Sequence, residues 1–301
     1  MVEFKHILCP VDLSEQSIRP LAYAGALARW YAGRLTVLHV VPTFDPMEIR
    51  SGALFDPVRL VYPIPREEVL EHLRRALTSA GIAADDVALV AEAGEAAETI
   101  VDQSLAVRSD LLVMGTHGRS GFNRLLLGSI TEKVLHRAPC PVLTVPPHAS
   151  AAPGVALRHI LCPTDFSPAA MQAFGFALEL ARRTEASLTV LHAIEWLPEE
   201  DPRELAHFNV PEYRRHLTDG AHQRLKALVA DAPSLQRGVH DVVVTGRAHW
   251  EILRVAQEAA ADLIVMGAQG RGGPALTMFG STTQQVVRAA GCPVLTVRGT
   301  R

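Results

Sequence analysis

Short apolar runs alternate along the chain with longer segments in which apolar residues recur every three or four positions. In the first half the apolar runs occupy residues 4–11, 35–41, 87–92, 111–115 and 142–145. Short, often β-branched runs are typical of buried strands, whereas the longer period is typical of amphipathic helices. The helical patterns lie between these runs, at residues 17–31, 67–79, 96–107 and 129–137. Strands that alternate with helices predict right-handed crossovers and a mostly parallel, doubly wound α/β sheet.

The whole pattern occurs twice. Residues 6–14 return at 159–167, which is an offset of 159 − 6 = 153 residues. Repetition over one domain length indicates a tandem duplication. The segment 146–154 is rich in proline and small residues, as expected of a linker. We therefore predict one domain at residues 1–147 and a second at residues 156–301.

Two helix starts are predicted from side chains that cap helices. Ser14 or Ser17 is expected to cap the helix that follows the first strand. In the second half, Ser167 and Pro168 supply a cap and a proline at the first helical position.

Composition and charge limit the partners that the chain is expected to have. Its 301 residues suffice for two domains with separate cores, and 48% hydrophobic with 20% charged residues is ordinary for a globular protein. The formal net charge of -3 gives no electrostatic reason to expect nucleic acid or an anionic membrane. No apolar run approaches the roughly 18 residues of a membrane span, and the first residues lack an export signal. We expect no nucleic-acid or membrane partner and a cytoplasmic location.

The four cysteines are expected to be buried, reduced core residues. Cys9, Cys140, Cys162 and Cys292 occur as one pair per half, and none belongs to a Cys-x-x-Cys motif. His6 lies three residues before Cys9, but residues three apart on a strand point to opposite faces. We therefore predict no metal site from these residues.

A glycine motif follows the fourth apolar run in each half, with the spacing G-x2-G-x9-G-S. Gly115, Gly118, Gly128 and Ser129 form the first copy, and Gly267, Gly270, Gly280 and Ser281 form the second. Glycines permit a sharp turn after a strand, and the serine with Glu132 or Gln284 three positions later fits a capping box. The start of a helix carries unpaired N–H groups and the positive end of the helix dipole. The motif therefore predicts an anion site, for which phosphate is the usual occupant.

Asp12 and Asp165 follow the first strand of each half, at the edge of the sheet where ligands bind in such folds. A carboxylate repels phosphate but accepts hydrogen bonds from a sugar hydroxyl or an amino group. These aspartates are thus candidates to bind the sugar or base of a nucleotide, the alternative being that Asp12 only caps the next helix. Arg119 and Arg271 follow the second glycine and are either phosphate ligands or solvated surface groups.

The motifs of several enzyme classes are missing from the sequence. It contains no G-x4-G-K-[ST] loop and no G-x-S-x-G nucleophile elbow. His117 in the first glycine motif is Gln269 in the second, so the two copies share no general acid or base there. We name no catalytic residue, and the sequence favours binding over turnover.

Three motifs together resemble those of the universal stress proteins. They are Pro-Val/Thr-Asp-Leu/Phe-Ser after the first strand, the spacing G-x2-G-x9-G-S, and Cys-Pro-Val-Leu-Thr-Val at each domain's end. The resemblance covers nearly the whole chain as two tandem domains. It implies a five-stranded parallel sheet per domain, Rossmann-like and similar to the adenine nucleotide alpha hydrolases, with the domains paired through their final strands. It also implies ATP as the ligand, with Mg2+.

The resemblance also implies which residues contact the nucleotide. In the first half these are Val11, Asp12, Val40, Met114, Gly115, His117, Gly118, Gly128, Ser129, Ile130 and Thr131. The matching second-half residues are Thr164, Asp165, Ala193, Met266, Gly267, Gln269, Gly270, Gly280, Ser281, Thr282 and Thr283. Because Ala193 replaces a larger base contact and Gln269 replaces a histidine, the second site is expected to be weaker or empty.

The leading hypothesis is an ATP-binding regulatory protein of the stress response without efficient catalysis. Nucleotide would order the proline-rich segment 42–65 and its counterpart 195–211, and so change the surface offered to an unidentified regulatory partner. A homodimer of the two-domain chain is also expected. Two alternatives remain open: a slow ATPase or phosphotransferase, and a structural pseudo-dimer that binds no nucleotide.

Overall fold

The computed structural model describes residues 3–42, 65–84, 86–116, 127–149, 157–195, 210–230, 235, 237–270 and 279–298. Ten strands and eight α-helices form over these residues. None of the helices in these ranges is long and apolar enough to cross a membrane. The segments 43–64 and 196–209, for which a nucleotide-dependent change is predicted, lie outside the described residues.

The elements alternate in the predicted order. The first half contains β1 His6–Pro10, α1 Ile18–Tyr31, β2 Arg34–Pro42, α2 Arg66–Ser79, β3 Val87–Gly94, α3 Ala96–Ala106, β4 Leu111–Gly115, α4 Ser129–Arg137 and β5 Val142–Val145. The second contains β6 His159–Pro163, α5 Pro168–Thr184, β7 Ser187–Ile194, α6 Val210–Ala230, β8 Val239–Thr245, α7 Ala248–Glu258, β9 Leu263–Gly267, α8 Ser281–Ala289 and β10 Val294–Val297. A 3-10 turn at Glu15–Ser17 precedes α1. The predicted α/β class and order of elements along the chain are confirmed, with differences of a few residues at element ends.

The strands form one sheet in the order β3-β2-β1-β4-β5-β10-β9-β6-β7-β8. Strands within each half are parallel, and β1 pairs with both β2 and β4. The strand order therefore reverses between β1 and β4, and between β6 and β9 in the second half. Such a reversal sends the connecting helices to opposite faces and leaves a crevice at the carboxyl ends of the strands. Because β1 and β4 are neighbours, Asp12 and Gly115 border one crevice.

The two halves join through their final strands, as the resemblance implied. β5 and β10 pair antiparallel, with Leu143 opposite Leu295. Thr144 Oγ1 donates to the carbonyl oxygen of Val294, and Thr296 Oγ1 donates to that of Val142, each at 3.2 Å. Both threonines are buried, so these bonds satisfy hydroxyls that would otherwise be costly inside the core. The predicted pairing through the last strand of each domain is confirmed.

The apolar core continues across this joint. Phe4 of the first half stacks on Phe176 of α5 with ring centroids 6.1 Å apart, and the Arg183 guanidinium lies 4.5 Å from the centroid of the Tyr31 ring. One cluster of buried side chains on this face of the sheet, and another on the opposite face, each contain residues of both halves. The halves consequently share their core instead of meeting as two finished surfaces.

The cysteine positions agree with a structural role. Cys9 and Cys162 are fully buried in β1 and β6, and all four thiols are free. Burial raises the pKa of Cys162 and that of Cys292 to about 12. Cys292 is nevertheless partly exposed, which differs from the prediction of four buried thiols.

The predicted capping boxes are wrong. α4 and α8 begin at the serines themselves, so the N-cap residues are Gly128 and Gly280, which have no side chain to cap the helix. The Glu132 and Gln284 side chains instead meet across the joint, where Gln284 Nε2 donates to Glu132 Oε1 at 2.6 Å. Their offset of 284 − 132 = 152 equals that of the glycine motifs, so they occupy equivalent positions on the axis relating the halves. Glu132 therefore accepts a hydrogen bond from Gln284 of the other half, and not the bond from its own helix start that a capping box requires.

We expect Gln284→Glu to destabilise the fold, because two carboxylates would then face each other in a partly buried site. The free energy of unfolding, measured by urea denaturation, should fall by about 1–3 kcal/mol. Exchanging the pair, as Glu132→Gln with Gln284→Glu, should restore stability to within about 0.5 kcal/mol of the parent. A double variant that is as unstable as Gln284→Glu alone would contradict this role for the bond.

Candidate functional site

A cleft opens in each half at the carboxyl ends of the strands, where the strand order reverses. The first cleft encloses about 320 Å³ and the second about 680 Å³. Nine predicted site residues line the first: Val11, Asp12, Val40, Met114, Gly115, Gly128, Ser129, Ile130 and Thr131. Eleven line the second: Thr164, Asp165, Ala193, Met266, Gly267, Gln269, Gly270, Gly280, Ser281, Thr282 and Thr283. The predicted residues His117, Gly118, Arg119 and Arg271 lie outside the described residues.

The carboxylate of Asp12 is held by the turn that follows β1. Its Oδ1 accepts hydrogen bonds from Ser14 N at 3.0 Å, Ser14 Oγ at 2.6 Å and Ser17 Oγ at 2.5 Å. Neither serine caps the helical segment it precedes, so that part of the capping prediction is wrong. Asp12 Oδ1 therefore organises the turn before the helix, which is a local role other than the helix cap that the sequence left open, and Asp12 also lines the cleft.

Asp165 is arranged differently at the same place in the second half. Its Oδ1 accepts from Ser167 N at 2.9 Å, while Ser167 Oγ accepts from Ala170 N at 3.2 Å and so caps α5. The predicted cap by Ser167 and Pro168 is confirmed. A Cβ added at Gly270 would lie 2.8 Å from Asp165 Oδ2, which shows how closely the glycine loop approaches this carboxylate.

The start of α4 and that of α8 face the clefts without a side-chain cap. Thr131 Oγ1 donates to Gly115 O, and Thr283 Oγ1 to Gly267 O, each at 2.8 Å. These bonds fix each helix start to the end of the neighbouring strand. They also use the hydroxyl hydrogen of each threonine, so that the hydroxyl can only accept a further hydrogen bond. A glycine N-cap has no side-chain acceptor for the first-turn N–H groups, which are the groups that an anion contacts at the start of a helix. Ser129 and Ser281 are exposed beside them.

His39 and His192 each bond to the main chain that follows the first strand of their half. Their Nδ1 atoms lie 2.8 Å from Val11 O and 2.7 Å from Thr164 O. A carbonyl oxygen only accepts, so each Nδ1 carries the proton and donates. The bonds fasten the end of the second strand of each half to the residue that follows the first strand.

Some lining residues were not predicted from the sequence. Ile100 and Ile252 form apolar walls from the third helix of each half, and Ser17 and Phe279 line the first and second cleft. The rule that ligands bind beyond the carboxyl ends of parallel strands could have indicated the residues that begin these helices. Nothing local distinguishes the isoleucines from ordinary core positions.

Glu195 is the main chemical difference between the clefts. In the first half Glu95 Oε2 accepts from Glu98 N at 2.8 Å and caps α3, and this bond together with Lys133 lowers the pKa of Glu95. The corresponding N-cap residue of α7 is Arg247, whose side chain has no acceptor. Glu195 supplies the acceptor instead, because Ala248 N donates to Glu195 Oε1 at 2.7 Å. The second cleft thereby acquires a second carboxylate at its edge.

Comparison with known proteins gives one consistent family. The family model described as the universal stress protein family matches residues 3–146 and 156–298. A universal stress protein of Thermus aquaticus is 36% identical over 142 residues, which are 47% of this chain and 98% of that protein. A universal stress protein of Mycobacterium tuberculosis is 29% identical over 190 residues, which are 63% of this chain and 62% of that protein. The match therefore spans less than two thirds of the mycobacterial relative.

A solved structure matches the whole two-domain arrangement. The crystal structure of a universal stress protein from Archaeoglobus fulgidus DSM 4304 superposes with a TM-score of 0.68 at 25% sequence identity. The superposition covers 98% of this chain and 99% of that one. The pairing of two such sheets in one chain is therefore shared with a protein of known structure.

Gly267, which lines the second cleft, is needed for packing. A Cβ at this position would lie 2.9 Å from the main chain of Ala169 and of Ala170. Because main-chain atoms cannot move aside, we expect Gly267→Ala to lower the free energy of unfolding by about 1–3 kcal/mol.

The matched control is Gly175→Ala in α5, where an added Cβ meets nothing within 4 Å. That variant should be more stable than the parent by about 0.5–1 kcal/mol, because alanine loses less backbone entropy in a helix. Urea unfolding of both variants measures the effects. Equal stability of the two variants would contradict the close approach of β9 to α5.

Proposed function

Because the chain belongs to the universal stress protein family, as two tandem domains, we propose that it binds ATP with Mg2+ in its two clefts. The observation that carries the proposal is the start of α4, and of α8, which faces a switch-point crevice with no side-chain cap. An uncapped helix start with an aspartate across the crevice offers partners for both ends of a nucleotide.

The phosphates are assigned to the helix starts. The first-turn N–H groups of α4 and α8 and the hydroxyls of Ser129 and Ser281 are donors, and the helix dipole adds positive potential there. Gly115 and Gly267 end the strands beside them and let the backbone pass close to a ligand. We propose that His117, Gly118, Arg119 and Arg271 complete the phosphate contacts.

The nucleoside is assigned to the opposite end of each cleft. Val11, Val40, Ile100 and Met114 provide apolar contact for a base in the first cleft, and Asp12 provides an acceptor for a sugar hydroxyl or an amino group. Thr164, Ala193, Ile252 and Met266 form the corresponding wall of the second cleft, beside Asp165. Such a combination of apolar walls with a few polar groups is typical of small-molecule sites.

We propose that binding serves regulation in the stress response and not efficient catalysis. Bound nucleotide would change the surface that the chain presents to a partner protein. A homodimer of the two-domain chain and a cytoplasmic location belong to the same proposal. An unchanged protease digestion pattern with and without ATP would contradict the change of surface.

The test places a negative charge where the phosphates are assigned. In Ser129→Asp and Ser281→Asp, the new carboxylate occupies the first helical position, where it suits the helix dipole and should not destabilise the fold. It should repel phosphate, so each variant is expected to lose one ATP site by at least about 10-fold in affinity. Titration calorimetry with MgATP measures this, with exposed Ser79→Asp on α2 as a control for a new surface carboxylate outside the clefts.

The outcomes separate the candidate functions. Loss of binding in the double variant, with the Ser79→Asp protein unchanged, supports the assignment. A parent protein that takes up no ATP would refute it and favour a structural pseudo-dimer. Steady release of inorganic phosphate by the parent, abolished in the double variant, would favour a slow ATPase.

A further inference from the structure

Ser14 and Ser17 both occupy helix-capping positions without capping. Ser14 precedes the 3-10 turn Glu15–Ser17, and Ser17 precedes α1, yet neither side chain accepts a hydrogen bond from the helical N–H groups. Serine at such positions normally accepts one and stabilises the helix. Another hydrogen-bonding group therefore orients the two hydroxyls.

That group is the Asp12 carboxylate. Ser17 Oγ donates to Asp12 Oδ1 at 2.5 Å and accepts from Asp12 N at 3.1 Å. One hydroxyl thus ties the main chain and the side chain of the same aspartate, and Ser14 adds two donors to the same oxygen. Bonds to a charged acceptor are short and strong, so rotating the Asp12 side chain would break several at once.

The second half supplies an internal comparison. The offset of 153 places Ala170 at the position of Ser17, and Ala170 lines the second cleft as Ser17 lines the first. The residue that corresponds to Ser14 is Ser167, whose hydroxyl caps α5. The fold therefore forms in one chain both with and without the bond from a serine at this position.

We propose that Ser17 is a positioning residue that orients Asp12 for the nucleoside, and that alanine at position 170 makes the second site the weaker one. The proposal rests on the proposed binding of ATP. Less conformational entropy is lost when a sugar hydroxyl or a base amino group binds to a carboxylate that is already oriented. Ser17 itself need not touch the nucleotide.

The first experiment isolates the first site by using Ser281→Asp protein as the parent. Replacement of Ser17 by alanine in this protein should lower the affinity for MgATP and for adenosine by about 5- to 10-fold, the usual effect of losing a hydrogen bond to a charged group. Inorganic tripolyphosphate with Mg2+ should bind the two proteins equally, because it contacts only the helix start. A merely structural defect in the Ser17→Ala protein would lower the affinity for all three ligands together.

A double-mutant cycle tests whether Ser17 acts through Asp12. Asp12→Asn removes the charge that Ser17 holds, so adding Ser17→Ala to it should change ATP affinity by less than about 2-fold. If the two substitutions weaken binding independently, Ser17 does not act as a positioning residue for Asp12.

The reciprocal change is made in Ser129→Asp protein, where only the second site remains. Ala170→Ser adds one hydroxyl beside Asp165 and should tighten ATP binding there by about 3- to 10-fold. An unchanged second site would overturn the claim that Ala170 limits it. Absence of ATP binding in both parent proteins would remove the proposed function itself, whereas normal binding that is insensitive to Ser17→Ala would overturn this inference alone.

Discussion

The antiparallel pairing of β5 with β10 is the constraint on which the rest of the structure depends. It merges two parallel sheets into one and makes the core continuous between halves. It also brings α4 and α8 together, so that Glu132 and Gln284 meet on the axis that relates the halves. Glutamate at both positions would place two carboxylates there, whereas glutamate with glutamine forms a hydrogen bond.

The position of each cleft follows from the same sheet. Strand order reverses between β1 and β4, and the threonine in the first turn of α4 fixes the helix start to the end of β4. The clefts therefore share a scaffold, although the groups around the strand ends differ. Asp12 is held by two hydroxyls, whereas Asp165 lies beside Gly270 and a second carboxylate, Glu195, stands at the same cleft's edge. One fold thus presents two chemically distinct sites.

The fold could be predicted from sequence, because periodicity and repetition report on whole elements. Most of the residues that line the clefts were expected from the resemblance to a known family. The capping details could not be predicted. Ser129 and Glu132 match a capping box locally, yet Glu132 bonds to a residue 152 positions away, and no local pattern reveals that competitor. Glu195 caps α7 only because Arg247 stands where Glu95 stands in the first half. Ser17 was predicted as a cap, and its turn toward Asp12 depends on the backbone between them.

The most direct measurement is the nucleotide that the chain retains. The protein would be equilibrated with MgATP, freed of unbound ligand by rapid gel filtration and denatured, and the released compound identified by chromatography and mass. The account predicts about one ATP per chain, held by the better-organised first cleft, with the second cleft losing its ligand faster. Protein that carries no nucleotide after this treatment, and shows no ATP uptake at equilibrium, would contradict it.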